Sequence, residues 1–255
     1  CSSRVFDDTT VNHAIEIDRK NLDRLVHRAH PQPLTLIHAP RGQRRGDPFT
    51  VRKLSLHGEP QVAVQAADDA VLFKRLVRGI ARKHGLAATF MAKPYGERSG
   101  SGFHVHFSLV DENGVNLFDN GGEEGTPLML NAVAGLLETM QENTLTFAPH
   151  ENSYRRLLPG THAPTGVAWG YENRTAAIRI PGGNHKARRI EHRVAGADAN
   201  PYLVVASILG GALIGIEAKM EPAPPIEGDA YSLQLDHLPL DWATAIQTFN
   251  RGTHV

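Results

Sequence analysis

The sequence predicts a fold of helices and short strands, because it shows two kinds of hydrophobic pattern and one clear turn. Three segments have apolar residues at helical spacing: Ala66–His84, Pro127–Thr146 and Tyr202–Glu217. Short apolar or alternating segments, as strands require, cover 34–37, 87–92, 104–108, 115–118, 176–181 and 189–194. Asp-Glu-Asn-Gly at 111–114 predicts a tight hairpin turn.

The first predicted helix places Asp68 and Asp69 in its first turn, where carboxylates suit the helix dipole, and Gly85 ends it. Its predicted buried stripe is Val71, Leu72, Leu76, Val77 and Ile80. The stripe of the second helix is Met129, Leu130, Val133, Leu136, Leu137 and Met140. The third helix begins at Asn200-Pro201, and Gly210 and Gly211 predict close packing against another element. After Met220 the chain is Pro-rich, and no further chemistry is predicted there.

Two N-terminal segments carry weaker signals. Asn21–His30 has helical spacing, and Pro31 would end that helix. In Pro40–Lys53 five of fourteen residues are basic, with no periodicity that favours a helix or strand. This segment is either a solvated loop or a loop that touches phosphates.

Composition bounds the function. The 255 residues carry a formal net charge of zero, whereas nucleic-acid binders usually have a basic excess. Cys1 is the only cysteine, which excludes a disulfide framework and a thiolate metal cluster. No membrane-length apolar run and no signal peptide is seen, so a reducing cytoplasm is the default expectation. Both ends look cut, as in a piece of a longer protein.

The strand that follows the glycine turn Gly100–Gly102 has an unusual polar face. Its alternation puts His104, His106 and Ser108 on one side and apolar residues on the other. Two imidazoles and a hydroxyl beside a flexible backbone suit a metal and phosphate site. The alternative is a surface strand with a polar face.

Charged residues recur within the later apolar strands, where burial is costly unless they are paired or serve a ligand. The cationic set is Arg155, Arg156, Arg174, Arg179, Lys186, Arg189 and Arg193, with Glu191 among them. This set is either an internal salt-bridge network or a site for an anion, since arginine binds carboxylates and phosphates bidentately. Glu191 and His104 could hold one divalent cation, and such a donor set suits Mg²⁺ or Mn²⁺ better than zinc. A metal with arginines is typical of phosphoryl transfer.

Several blocks of this sequence resemble the glutamine synthetase family in the order of that family's motifs. Gly100–Leu109, preceded by Ala-Thr-Phe-Met-Ala-Lys-Pro, resembles its ATP-binding signature. The later blocks are Asn152–Gly160, Asn173–Pro181 and Lys186–Arg193, followed by Ala-Asn-Pro-Tyr-Leu. The resemblance covers about residues 65–220 and looks closest to the branch of gamma-glutamylpolyamine synthetases. It implies an α+β fold, a curved antiparallel sheet backed by helices, with residues 1–255 forming a partial catalytic domain.

The resemblance implies an ATP-dependent ligase that phosphorylates the side-chain carboxylate of glutamate, after which ammonia or another amine displaces the phosphate. His104 and Glu191 would bind the metal, Mg²⁺ or Mn²⁺. Gly100 would lie against the glutamate, and Arg156 and Arg193 would clamp its carboxylates. The residues implied in contacts with ATP or the transferred phosphoryl group are His106, Ser108, Arg174, Arg179, Lys186 and Arg189. Family members form ring-shaped homo-oligomers.

Three departures from the family pattern bear on activity. His162 stands where the family has a flap glutamate that handles ammonium, which favours a different acceptor with histidine as a possible base. Between Ile17 and Gly58 there is no glutamate, although the family carries two metal-binding glutamates in the corresponding block. The N-terminal small domain and the C-terminal helices are absent from this sequence. An inactive relative that still binds nucleotide or glutamate is therefore the alternative expectation.

Overall fold

A computed structural model describes residues 33–37, 51–55, 63–111, 113–122 and 124–254. The chain divides into two compact units, Cys1–Thr89 and Phe90–Val255. The helix predicted over Asn21–His30 and residues 40–50 of the basic segment lie outside the described residues. None of the helices in the described part of the chain combines the length and apolar character that crossing a bilayer requires.

The first unit contains two strands and a helix. β1 (Pro33–Ile37) and β2 (Val51–Ser55) pair antiparallel, with Pro33 opposite Ser55. β1 confirms the strand predicted at 34–37, whereas β2 shows that residues 51–53 belong to a strand and not to an irregular loop. α1 (Ala63–Lys83) starts earlier than predicted, so Asp68 and Asp69 lie beyond its first turn.

The buried face of α1 shares only Val77 with the predicted stripe. Ala67, Phe73 and Val77 are buried, whereas Val71 and Leu72 are 39% and 48% exposed. Apolar residues occur on more than one side of this helix, and its packing decides which side is covered. Gly85 ends α1 as predicted: its φ is 69°, and the amides of Gly85 and Leu86 donate to the carbonyls of Arg82 and Ala81.

The second unit is built on a four-stranded sheet, which confirms the α+β expectation. Its strands are β3 (Val105–Phe107), β4 (Trp169–Tyr171), β5 (Ile178–Ile180) and β6 (Ile190–His192). Their order is β3-β6-β5-β4. β6 is antiparallel to β3 and β5, but β4 is parallel to β5, so the sheet is mixed where a wholly antiparallel one was expected. Side-chain alternation determines which face a residue occupies but not the direction of the neighbouring strand.

Two predicted strands are absent from the described residues. No strand forms over 87–92, and the segment 115–118 contributes only one bridge, between Val110 and Asn116. The hairpin turn predicted at 111–114 is confirmed, because the Gly114 amide donates to the Asp111 carbonyl and Gly114 has a φ of 77°.

The helices of the second unit are α2 (Pro127–Glu138), α3 (Thr144–Phe147), α4 (Glu151–Tyr154), α5 (Pro201–Glu217) and α6 (Trp242–Arg251). The single helix predicted over Pro127–Thr146 is divided into α2 and α3. Thr139, whose hydroxyl donates to the Gly135 carbonyl, follows the end of α2. Asn200 caps α5 by accepting from the Tyr202 amide, as predicted. α6 was not predicted, and its Ala245 joins a buried cluster with Tyr154 and Leu157.

α2 and α5 approach closely through glycines. A Cβ on Gly135 would meet the backbone of Gly211 and Gly215, and a Cβ on Gly211 would meet the hydroxyl oxygen of Thr139. The close packing predicted for Gly211 is therefore confirmed. The same prediction is wrong for Gly210, which faces open space.

Candidate functional site

The candidate site is centred on the carboxylate of Glu191 in the middle of the second unit's sheet. Glu191 in β6 lies directly opposite His106 in β3 and Arg179 in β5. Side chains directly opposite on neighbouring strands share a face of the sheet. Strand register therefore brings residues from three distant parts of the sequence to one point.

Four cationic or imidazole groups approach this carboxylate. Arg193 Nη1 lies 2.7 Å from Oε1, and Arg179 Nη1 lies 2.6 Å from Oε2. His104 Nδ1 is 3.1 Å from Oε1, and His106 Nε2 is 3.7 Å from the same oxygen. The prediction that His104 and Glu191 meet is confirmed.

The Glu191 carboxylate is 3% exposed and ionised. Burial would raise its pKa, but the hydrogen bond with His104 and the charge of Arg193 outweigh burial and hold the pKa well below its usual range. An ionised, buried carboxylate is the form that can serve as a hard-cation ligand.

Both imidazoles are neutral at physiological pH. Burial lowers the pKa of His104 to about 3, although its hydrogen bond to Glu191 acts in the opposite direction. Burial also lowers the pKa of His106 to about 4. A neutral imidazole retains one lone pair, which is the form that ligates metals. Within the described residues, however, no group of three His, Cys, Asp or Glu side chains is arranged to hold a metal ion.

Arg156 forms a second buried part of the site. Its guanidinium donates to the carbonyls of Val194 at 2.7 Å and Arg193 at 3.2 Å, and the residue is 4% exposed. Burial lowers the pKa of Arg156 to about 10, so it remains charged at neutral pH. A buried guanidinium bonded to neutral carbonyls has unused capacity for an anion.

The glycine turn lies against Arg156 and His104. A Cβ on Gly100 would come within 3.0 Å of Arg156 Cγ. A Cβ on Gly102 would come within 2.9 Å of Arg156 Nη2 and 3.0 Å of His104 Nε2. A side chain at Gly102 would fill the space between the guanidinium and the imidazole, and one at Gly100 would also meet the Ala92 carbonyl oxygen at 2.7 Å, so both positions need glycine.

The remaining predicted residues are less tightly held. Arg189 Nε lies 3.3 Å from His106 Nδ1, which brings the loop after β5 to the imidazole face of the site. Arg193 Nη2 donates to the backbone carbonyl of Arg174, whose own side chain is exposed. Ser108 and Lys186 are also exposed. His162 lies in an exposed loop at a φ of 61° and makes no hydrogen bond or ion pair with the other described site residues.

The structure confirms the salt-bridge network in the cationic set, and the anion site stays a prediction. Arg179 and Arg193 form a salt-bridge network with Glu191, as the first alternative expects. Yet Arg179 Nε and Arg193 Nε are buried without a partner among the described residues, and Arg156 has no ion pair there. These donors, together with the exposed Arg174 and Lys186, favour an anion site.

Sequence reasoning missed two acidic residues of this region. Glu172 pairs with Arg179 at 3.1 Å, and Asp198 accepts a hydrogen bond from the Ser153 hydroxyl at 2.6 Å. Glu172 stands two residues before Arg174, which could have drawn attention to it. Only the parallel pairing of β4 with β5 shows that it reaches Arg179.

The chain matches the family model described as "Glutamine synthetase, catalytic domain" over residues 54–255. It is 42% identical over 192 residues to gamma-glutamylputrescine synthetase PuuA of Escherichia coli K12, covering 75% of this chain and 41% of that protein. It is 39% identical over 191 residues to gamma-glutamylethanolamide synthetase GlnA4 of Streptomyces coelicolor, with the same coverage of 75% and 41%. The chain thus spans about two fifths of these relatives' length.

Solved structures resemble the fold as well. A GmaS/ADP complex in conformation 1 superposes with a TM-score of 0.71 at 32% identity, over 81% of this chain and 48% of the other. Apo GmaS without ligand gives a TM-score of 0.76 at 29% identity, over 98% of this chain and 56% of the other.

Proposed function

The chain belongs to the glutamine synthetase family of catalytic domains, and on that premise we propose that the protein uses ATP to join glutamate to an amine. The observation that carries this proposal is the buried Glu191 carboxylate, which is bonded to two arginines and beside two neutral imidazoles. In this reaction the γ-carboxylate of glutamate takes the terminal phosphoryl group of ATP. The amine nitrogen then attacks the carbonyl carbon, and phosphate leaves.

The residues divide this work by charge. Arg156 and Arg193 bind the carboxylates of glutamate beside Gly100. Arg174 and Arg179 neutralise the nucleotide phosphates and the moving phosphoryl group, because charge neutralisation is the main catalytic requirement of phosphoryl transfer. The other residues proposed to contact the nucleotide are His106, Ser108, Lys186 and Arg189.

Glu191 and His104 are two donors of the types that suit a divalent cation, an ionised carboxylate oxygen and a neutral imidazole nitrogen; the described residues arrange no third such side chain with them. His104 and Glu191 would hold Mg²⁺ or Mn²⁺ there. When bound, the cation supplies further neutralisation of phosphate charge. The chain's own guanidinium groups orient the phosphates beside it.

We propose an amine larger than ammonia as the acceptor. The names of the relatives refer to putrescine, ethanolamide and isopropylamine products or substrates. His162 supports this because it stands in place of the flap glutamate that handles ammonium, and a histidine can accept a proton near neutral pH. The proposal extends to a ring-shaped oligomer of the whole protein.

The test is ADP release by the protein with glutamate, ATP, Mg²⁺ and either putrescine or ammonium. Release should require all components and be faster with putrescine. Arg179→Ala should abolish ADP release. Arg155→Ala, which changes the exposed arginine next to Arg156 in the sequence, should not. Binding of ADP and Mg²⁺ without any phosphate transfer would favour the binding-only alternative.

A further inference from the structure

We propose that Glu172 is a positioning residue, which holds the guanidinium of Arg179 in the orientation that phosphoryl transfer needs. This inference rests on the proposed function, in which Arg179 contacts the moving phosphoryl group. No step of that function uses Glu172 directly, and its carboxylate acts through the arginine.

The contacts show how the arginine is shared. Arg179 Nη2 donates to both oxygens of Glu172, at 3.1 and 3.3 Å, while Nη1 donates to Glu191 at 2.6 Å. The two terminal nitrogens of one guanidinium are thus held by two carboxylates, one directly after β4 and the other in β6. Because a guanidinium is planar and its donors form a rigid fork, two such contacts determine the orientation of the whole group.

The exposure of the three side chains shows which contact is the outer one. The Glu172 side chain is 56% exposed, whereas those of Arg179 and Glu191 are 13% and 4% exposed. Glu191 therefore holds Arg179 from inside, and Glu172 holds it at the solvent edge. An arginine side chain has many rotamers, so the outer contact is what prevents the guanidinium from turning toward solvent.

The backbone around Glu172 is arranged for this contact. Glu172 has a φ of 51°, a left-handed conformation that glycine or asparagine adopts more readily than glutamate. The amide of Gly182 donates to Glu172 Oε1, and a Cβ at position 182 would stand 3.1 Å from that oxygen. Strained residues persist where their surroundings hold them in place, often at functional sites. Here the carboxylate explains why glutamate occupies a position that suits glycine better.

Electrostatics agree with a bound, ionised carboxylate. The Gly182 amide, more than the nearby Arg179, lowers the pKa of Glu172 against a smaller opposing effect of burial. An exposed ion pair contributes little to folding stability. Loss of this pair should therefore change the orientation of Arg179 far more than it changes the stability of the protein.

The first experiment compares the protein with its Glu172→Gln variant, which keeps the shape and the Gly182 contact but removes the charge. In ¹⁵N spectra the guanidinium signal of Arg179, assigned by its loss in Arg179→Lys, should exchange with water faster in Glu172→Gln. The kcat for ADP release should fall about tenfold, while the KM for ATP should change by less than about threefold. The loss would then lie in turnover and not in nucleotide binding. Glu172→Asp, which keeps the charge, should recover part of the loss.

Glu217→Gln is the matched control, because it removes an exposed glutamate from α5 and should leave both readouts unchanged. In an Arg179→Ala background, which has no ADP release to measure, Glu172→Gln should have no further effect on ADP binding. A further loss of ADP binding in that background would mean that Glu172 supports the turn itself and would overturn the proposal. An unchanged Arg179 signal, or tighter ADP binding with an unchanged kcat, would also overturn it. The spectra do not depend on catalysis, so a protein without ligase activity still tests the Glu172–Arg179 contact.

Discussion

At the scale of single residues, the site depends on Glu191, whose hydrogen bond and ion pairs keep its carboxylate ionised. Glu191 is surrounded by Arg179, Arg193 and His104 within 3.1 Å. Without Glu191 the two guanidinium groups would repel each other. Arg193 would lose its carboxylate partner in a buried place, whereas Arg179 would keep only the exposed Glu172. The imidazole of His104 is neutral chiefly because it is buried, and the charges of Arg193 and Arg156 lower its pKa further.

His104→Ala is expected to abolish Mg²⁺-dependent binding of ADP, because it removes the neutral imidazole that donates from Nδ1 to Glu191 and keeps a lone pair on Nε2 for the metal. Isothermal titration with ADP, in the presence and absence of Mg²⁺, measures this loss. His150→Ala is the control, since the His150 side chain is 64% exposed and pairs with Asp198 instead. Unchanged metal-dependent binding by His104→Ala would remove this imidazole from the proposed metal site.

At the scale of elements, α2 and α5 pack closely because glycines at their contact let the two backbones approach each other. α2 and α5 have glycines at their contact, and Gly135 and Gly215 leave no room for a Cβ on either side. In α5, Gly211 also leaves no room for a Cβ, whereas the preceding Gly210 faces open space. A side chain is therefore tolerated at position 210 but not at position 211.

Gly135→Ala is expected to destabilise the protein by at least about 1–3 kcal/mol, because the new methyl group meets backbone atoms that cannot move aside cheaply. Gly210→Ala is the matched change and should stabilise the protein by about 0.5–1 kcal/mol, since alanine has the better helix propensity and meets nothing. Urea unfolding of both variants measures these differences. Equal effects of the two substitutions would contradict the packing of α2 on α5.

At the scale of the whole molecule, a formal net charge of zero hides an uneven distribution of titrating groups. Two buried histidines and the half-buried His106 resist protonation in the folded state: loss of solvation lowers the pKa of His104 and of His192 to about 3 and that of His106 to about 4. An unfolded chain protonates the same residues near pH 6.5. Because the unfolded state then binds more protons, acid favours unfolding.

The free energy of unfolding is therefore expected to fall as the pH is lowered from about 6.5 toward 4. Each of these histidines contributes up to about 1.4 kcal/mol per pH unit in that window. His192→Leu should reduce the slope by one proton, as measured by urea unfolding in metal-free buffer between pH 4 and 7. An unaltered slope in His192→Leu would mean that this imidazole is protonated in the folded protein.

Much of the site could be predicted from residue chemistry and spacing. The alternation at 104–108 put His104 and His106 on one face, and both do approach Glu191. The prediction was less successful where packing or strand direction decides the outcome. Val71 and Leu72 are exposed on α1, and β4 is parallel to β5. A local pattern contains no information on which side of a helix is covered or which way a distant strand runs.

By itself the sequence indicated the family, through its resemblance to that family's motif blocks. It also determined the approximate places of the long helices and the chemical character of the site, which follow from the helical repeat and from side-chain types. Only the tertiary structure decided that His106, Glu191 and Arg179 stand side by side on three strands, and that Glu172 holds Arg179 from the outside. The reason is that strand register and the burial of charge depend on contacts between segments far apart in the chain, which no local spacing specifies.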